Sequence, residues 1–118
     1  MKNIISPHVT IYKFPITALT SITTRVTGVF FSGMYVFTGL NCYTNIDIKK
    51  KYNEQDFYLK KIINYSILFP INFHTLGGIR HFIWDKNPKL LKNVSVNKAS
   101  YLLIFSSLGF TYISEKLL

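Results

Sequence analysis

The sequence predicts an all-α integral membrane protein with three transmembrane helices, and three observations support this fold class. Hydrophobic residues make up 48% of the 118-residue chain and charged residues 16%, below the roughly 25% typical of soluble domains. The charges cluster, so that residues 26–46, 62–79 and 99–114 carry none. A helix that crosses a bilayer needs about 20 mostly apolar residues. A soluble bundle is disfavoured, because no amphipathic helices remain to cover three such stretches.

The uncharged stretches define the predicted domain organisation. We predict one membrane-anchor domain over residues 1–118, with an N-terminal segment at 1–20 and transmembrane helices at about 21–46, 60–84 and 97–117. The third stretch is the shortest, and it reaches spanning length if Lys98 and Lys116 extend their amines towards the membrane surface. The predicted partner of these helices is the lipid bilayer.

The net charge of +9 is interpreted through the positions of the basic residues. They flank the apolar stretches and do not gather on one face, which argues against nucleic acid as a partner. With the N-terminus inside, eight of the 14 basic residues fall on the inner side and six on the outer side. Cytoplasmic or matrix loops carry the excess of Lys and Arg, so we expect an inner N-terminus and an outer C-terminus.

Cysteine content and the N-terminal residues narrow the chemistry and the origin of the chain. Cys42 is the only cysteine, so the chain cannot ligate an iron–sulfur cluster through several thiolates. Residues 1–10 lack both an apolar core and an Arg-rich amphipathic pattern, and we expect no cleavable targeting segment. Abundant Ile, Lys, Asn, Tyr and Phe are typical of an AT-rich genome, either organellar or bacterial.

Two histidines lie near the end of the second apolar stretch. His74 precedes His81 by nearly two helical turns, and Gly77 and Gly78 lie between them. Small residues let a flat group or a neighbouring helix approach closely. Neutral imidazole is a good axial ligand for haem iron. From the spacing alone, a metal ligand and a helix–helix hydrogen bond are equally consistent with His74.

A polar stripe opens the first helix. Thr17, Ser21 and Arg25 recur every four residues, with Gly28 three further on, so they share one face. A hydroxyl and a guanidinium on adjacent turns can bind carbonyl oxygens or carboxylates. Taken alone, Arg25 is explained slightly better as a marker of the membrane boundary than as a binding residue.

These motifs together resemble the cytochrome b subunit of succinate dehydrogenase, respiratory complex II. That family has an SPHLxIY-type N-terminal segment, matched by SPHVTIY at residues 6–12. Its SxxxRxxG pattern is matched by Ser21, Arg25 and Gly28, and its HxxxGxRHxxxD pattern by HTLGGIRHFIWD at residues 74–85. The three motifs occur in order and cover essentially the whole chain, which makes the set specific.

The resemblance implies roles for particular residues. His74 matches the axial ligand of haem b, and Ser21 and Arg25 match residues that line the ubiquinone pocket. Arg25, His81 and Arg80 match groups near the haem propionates. Many family members carry histidine immediately before the arginine, where this chain has Thr24. A contact made by that histidine is then lost, made by Thr24, or supplied by another subunit.

The resemblance also implies function, cofactors and partners. The chain would belong to succinate:ubiquinone oxidoreductase, bind haem b jointly with a second anchor subunit that supplies the other axial ligand, and help to reduce ubiquinone. It would dock the iron–sulfur and flavoprotein subunits, and it would not itself oxidise succinate. The implied location is the mitochondrial inner membrane, with a bacterial inner membrane as the alternative.

Two other functions compete with this interpretation. A purely structural membrane anchor would need none of His74, Ser21 and Arg25. A small channel or transporter component would need polar groups through the full depth of the bilayer, whereas the polar motifs here lie on one side. The direction of the reaction, succinate oxidation or fumarate reduction, is left open by the sequence.

Overall fold

The computed structural model describes residues 15–118, and its elements in this range are all helical. Three long helices, α1 (Ile16–Thr44), α3 (Phe57–Lys86) and α4 (Asn93–Leu117), are accompanied by the short helix α2 (Ile48–Asn53) and a 3₁₀ turn (Pro88–Leu91). The all-α prediction is therefore confirmed for this part of the chain. The SPHVTIY motif at residues 6–12 lies outside the described residues.

Local chemistry explains where the helices begin and end. Pro15 holds an extended conformation (φ −72°, ψ 146°) immediately before α1, which therefore begins ahead of the position near residue 21 expected from apolarity. Asn45 adopts the left-handed conformation (φ 54°) after α1, a common helix stop. The Asp47 carboxylate accepts a hydrogen bond from the Lys50 amide at 3.0 Å and caps α2. Helix α3 continues through Pro70.

The three long helices pack as an up–down–up bundle. Thr20 of α1 contacts Ser100 of α4 near the start of both helices, so these two helices run parallel. Helix α3 runs antiparallel to them, since Arg80 near its end contacts the same two residues. At the opposite end, Asn72 of α3 donates to the Thr111 hydroxyl of α4 at 3.3 Å. The predicted helices at about 60–84 and 97–117 correspond to α3 and α4.

Burial in this bundle is inverted relative to a water-soluble protein. Among the described side chains, the buried hydrophobic ones are Phe73 and Leu103. The buried polar ones are more numerous: Thr20, Thr24, Thr27, Asn41, Arg80, Ser100, Ser107 and Thr111. Large apolar side chains face outward instead; Val29, for example, is 75% exposed and Phe105 70%. The helices thus join through small polar groups and present apolar surface to their surroundings.

Within residues 15–118, none of the helices combines the length and the apolarity expected of a membrane-crossing segment.

Candidate functional site

Arg80 is the centre of a buried polar cluster that joins all three long helices. Its side chain is 8% exposed, and its Nη1 donates to Thr20 Oγ1 and to Ser100 Oγ, each at 3.2 Å. The guanidinium carbon lies 4.6 Å from the centroid of the Trp84 ring, within the range of a cation–π contact. Arg80 thus holds α1, α3 and α4 in register at the end of the bundle where α3 terminates.

The hydroxyl hydrogens in this cluster have a self-consistent arrangement. Thr20 Oγ1 lies 3.0 Å from the Thr17 carbonyl and Ser100 Oγ 2.9 Å from the Val96 carbonyl, and a carbonyl can only accept. Both hydroxyls can therefore donate to their own helices and turn lone pairs towards the two hydrogens of Arg80 Nη1. The Arg80 Nε, by contrast, is buried without a partner among the described residues.

His74 is half-buried against α1 and hydrogen-bonded to its backbone. Nδ1 of His74 lies 3.0 Å from the carbonyl oxygen of Thr24. Because the carbonyl has no hydrogen to give, this bond requires that Nδ1 carry the proton. In the neutral ring Nε2 then holds the free lone pair, which is the arrangement that a metal-binding histidine needs.

Two glycines allow α1 and α3 to approach at this histidine. A Cβ at Gly28 would lie 2.8 Å from His74 Cε1. A Cβ at Gly77 would lie 2.9 Å from both Cγ2 and Oγ1 of Thr24. Both distances are too short for real carbon contacts, so neither position accepts a larger residue unless its neighbour moves. Within residues 15–118, no side-chain or non-local atom lies within 4 Å of a Cβ built at Gly78, so of the glycine pair it is Gly77 that receives the neighbouring helix.

The other residues singled out in the sequence lie around this core. Ser21 is half-buried and Arg25 exposed on α1, one helical turn apart. His81 is exposed and stands edge-on to Trp84, with ring centroids 5.6 Å apart. Arg80 turns into the bundle, whereas Arg25 and His81 remain accessible to groups outside the chain.

A comparison with known protein families identifies the family of the chain. Residues 1–113 match the model of the family described as succinate dehydrogenase/fumarate reductase transmembrane subunit. The chain belongs to this family. As a succinate dehydrogenase/fumarate reductase transmembrane subunit, it combines apolar outer surfaces with a polar helix interface, an arrangement suited to apolar surroundings.

Individual relatives within the family differ in how much of their length is matched. The chain is 31% identical to the succinate dehydrogenase cytochrome b560 subunit of Reclinomonas americana, over 93% of this chain and 82% of the relative. It is 30% identical to the mitochondrial cytochrome b560 subunit of Dictyostelium discoideum, over 94% and 62%. It is 29% identical to the human mitochondrial subunit of the same name, over 89% and 68%. The chain thus spans about three fifths of the length of the Dictyostelium relative.

Several features of the site in this family member were missed by sequence reasoning. Thr20 and Ser100 bind Arg80 but belong to none of the motifs found in the sequence. The bond between His74 and Thr24 uses a backbone carbonyl, which every residue type has. The Thr24 hydroxyl lies 2.8 Å from the Thr20 carbonyl and can donate to it. The Thr24 side chain is buried inside the bundle, whereas Arg25 is exposed. The i, i+4 spacing of Thr20 and Thr24 was the available signal.

A cleft of about 300 Å³ lies between α3 and α4 on another face of Arg80. Trp84, Leu90, Ser95 and Leu102 contribute to its walls. Of the site residues predicted from sequence, Arg80 is the one that lines it. The cleft is therefore separate from the group formed by His74 and Thr24.

Proposed function

We propose that this chain is the haem-binding membrane-anchor subunit of a succinate:ubiquinone oxidoreductase. The single observation that carries the proposal is His74, whose Nδ1 is held by the Thr24 carbonyl at 3.0 Å so that Nε2 can bind iron. In this proposal α1, α3 and α4 cross the mitochondrial inner membrane with the N-terminus on the matrix side. A bacterial inner membrane is the alternative location.

The inverted burial of the bundle supports the membrane part of the proposal. Exposing apolar side chains to water costs free energy, whereas exposing them to lipid does not, because lipid tails are themselves apolar. Much of the polarity of the helices is satisfied internally: the hydroxyls of Thr23, Thr27 and Ser66 lie 2.8 Å from carbonyls one turn earlier and can donate to them. Such hydroxyls add little exposed polarity to the helix surface.

The donor chemistry of the site fits one axial position of haem b. His74 would provide Nε2 on one side of the iron, while the Thr24 carbonyl holds the ring and increases the basicity of the ligand. Three helices cannot enclose a haem on all sides, so a second anchor subunit would supply the other ligand. Haem, when bound, supplies one-electron exchange at this position. The exposed Arg25 and His81 are proposed to lie near the haem propionates. Arg80 is proposed to lie in the same vicinity but inside the bundle, where Thr20 and Ser100 hold its Nη1.

Ser21 and Arg25 are proposed to contribute to ubiquinone reduction. Reduction develops negative charge on the quinone oxygens, and a hydroxyl donor and a permanent cation one turn apart can stabilise that charge. Arg25 is exposed on α1 and Ser21 is half-buried one turn away, so both can be reached by a quinone bound where an iron–sulfur subunit docks at the same end. The flavoprotein subunit would oxidise succinate, and this chain would not take part in that step.

The absorption spectrum of the assembled complex tests the haem assignment. His74→Leu should abolish the reduced haem b bands or alter them severely, because the leucine side chain has no ligand atom. Thr75→Val is the control and should retain the haem spectrum, because the exposed Thr75 hydroxyl donates to the Ile71 carbonyl of its own helix at 2.8 Å. A His74→Leu complex with the unmodified spectrum would refute the proposal.

A purely structural anchor is the second candidate function, because the bond between His74 and Thr24 also links α1 to α3 without a metal. The same preparation separates the two candidates. A structural anchor predicts no haem in the unmodified complex and no dependence of quinone reduction on Ser21 or Arg25.

A further inference from the structure

One edge of the His74 ring packs closely against α1 at Gly28. A Cβ at that position would meet Cε1 at 2.8 Å, Nδ1 at 3.2 Å and Nε2 at 3.6 Å. These three atoms form one edge of the imidazole, so the edge that carries both nitrogens rests on the glycine. The hydrogen bond from Nδ1 to the Thr24 carbonyl is made at the end of this same edge.

We propose that Gly28 and the backbone carbonyl of Thr24 are positioning residues that set the orientation of His74 as a haem ligand. This inference rests on the proposed haem function of His74. The hydrogen bond holds one atom of the ring but leaves the ring free to turn about the N–H···O direction. The close contact between Gly28 and the ring edge prevents this rotation. Because the two constraints lie four residues apart on one helix, they face the ring together.

The packing around the glycine determines what an added methyl group would displace. Helix α1 cannot easily move away from α3, because Thr24 already contacts Gly77 one turn from Gly28 and Thr20 binds Arg80 one turn further. The ring, which is held by two side-chain torsions, is the part that yields. Gly28→Ala therefore turns or shifts the imidazole and lengthens its bond to the Thr24 carbonyl, while the bundle keeps its register.

A turned ligand changes the iron centre without removing the ligand. The plane of an axial imidazole and the hydrogen bond at its second nitrogen set the ligand field and the ligand basicity. We expect Gly28→Ala to retain haem less tightly, by about 10- to 100-fold as for other changes to the hydrogen-bonded surroundings of a metal ligand. We also expect displaced g values in the low-spin ferric EPR spectrum and a shifted haem midpoint potential.

Two matched glycines provide controls in the intact complex. Gly33 and Gly39 lie on the same helix as Gly28, and among the described residues neither has a side-chain or non-local atom within 4 Å of a built Cβ. Gly33→Ala and Gly39→Ala should keep the EPR spectrum, the midpoint potential and the haem content of the unmodified complex. If Gly28→Ala matches these controls in all three measurements, the positioning role is refuted.

A second measurement covers the case in which the Gly28→Ala complex does not assemble. Electron–nuclear double resonance on the unmodified complex with ¹⁵N-labelled histidine should detect an exchangeable proton on Nδ1 of the ligand that this subunit supplies. A ligand without that proton would overturn the inference. The two proposals fail in different ways. If the proposed function is wrong, the haem spectrum is unchanged in His74→Leu. If only the positioning role is wrong, the haem is altered in His74→Leu and unaltered in Gly28→Ala.

Discussion

Removing the acceptors of Arg80 tests the buried cluster that holds the three helices together. Thr20→Val preserves the side-chain shape but removes one acceptor of Nη1, and Ser100→Ala removes the other. A hydrogen bond to a charged group contributes about 1.5–3 kcal/mol, and leaving a buried donor unsatisfied costs about 1–3 kcal/mol. Each single change leaves one acceptor, so we expect a loss of about 1–2 kcal/mol in the free energy of unfolding.

The double variant distinguishes a coupled cluster from two independent contacts. With both hydroxyls removed, the Nη1 group of a side chain that is 8% exposed loses both of these acceptors. Breaking a buried charged pair costs about 3–5 kcal/mol, so the double change should exceed the sum of the single changes by about 1 kcal/mol.

Equilibrium unfolding of the purified complex in mixed detergent–SDS micelles measures these values. Thr38→Val is the matched control, because the exposed Thr38 hydroxyl donates to the Tyr35 carbonyl of its own helix at 2.9 Å and bridges no two helices in the described part of the chain. The control should change stability by less than about 0.5 kcal/mol, as exposed substitutions generally do. Single losses that match the control, or strictly additive losses, would refute the view that Arg80 clamps the three helices.

The remaining predictions concern quinone reduction and topology. Arg25→Leu should lower succinate-dependent ubiquinone reduction by about 100-fold, the order found when a preorganised donor to a developing anion is lost, while Ser21→Ala should cause a smaller loss because water can replace its hydroxyl. Reduction of an artificial dye that accepts electrons upstream should persist in both variants. The control Ser32→Ala removes an exposed hydroxyl on the same helix and should leave both activities unchanged. A normal rate of ubiquinone reduction in assembled Arg25→Leu and Ser21→Ala complexes would reject the quinone assignment. Protease accessibility of terminal tags in sealed membranes should place the N-terminus inside and the C-terminus outside, and two tags on one side would mean an even number of spans.

The sequence by itself determined the helical class and the residues able to carry chemistry. The uncharged stretches at 26–46, 62–79 and 99–114 fall largely within the three long helices. His74, Ser21 and Arg25 were singled out by residue type and spacing, but their roles came from the resemblance to the family and stay predictions. Local capping shifted the helix ends, as at Pro15, because backbone conformation and not apolarity decides where a helix begins.

The tertiary structure alone decided which faces meet. Periodicity within a helix carries no information on the register between helices, which depends on the sizes of all the side chains in contact. Only packing therefore brings Arg80 to Thr20 and Ser100. Only packing places the His74 ring edge against Gly28 and lets the Thr24 carbonyl accept a hydrogen bond from Nδ1 of that ring. A backbone carbonyl is present at every residue of the chain, and it becomes part of the site only where a neighbouring helix places a donor against it.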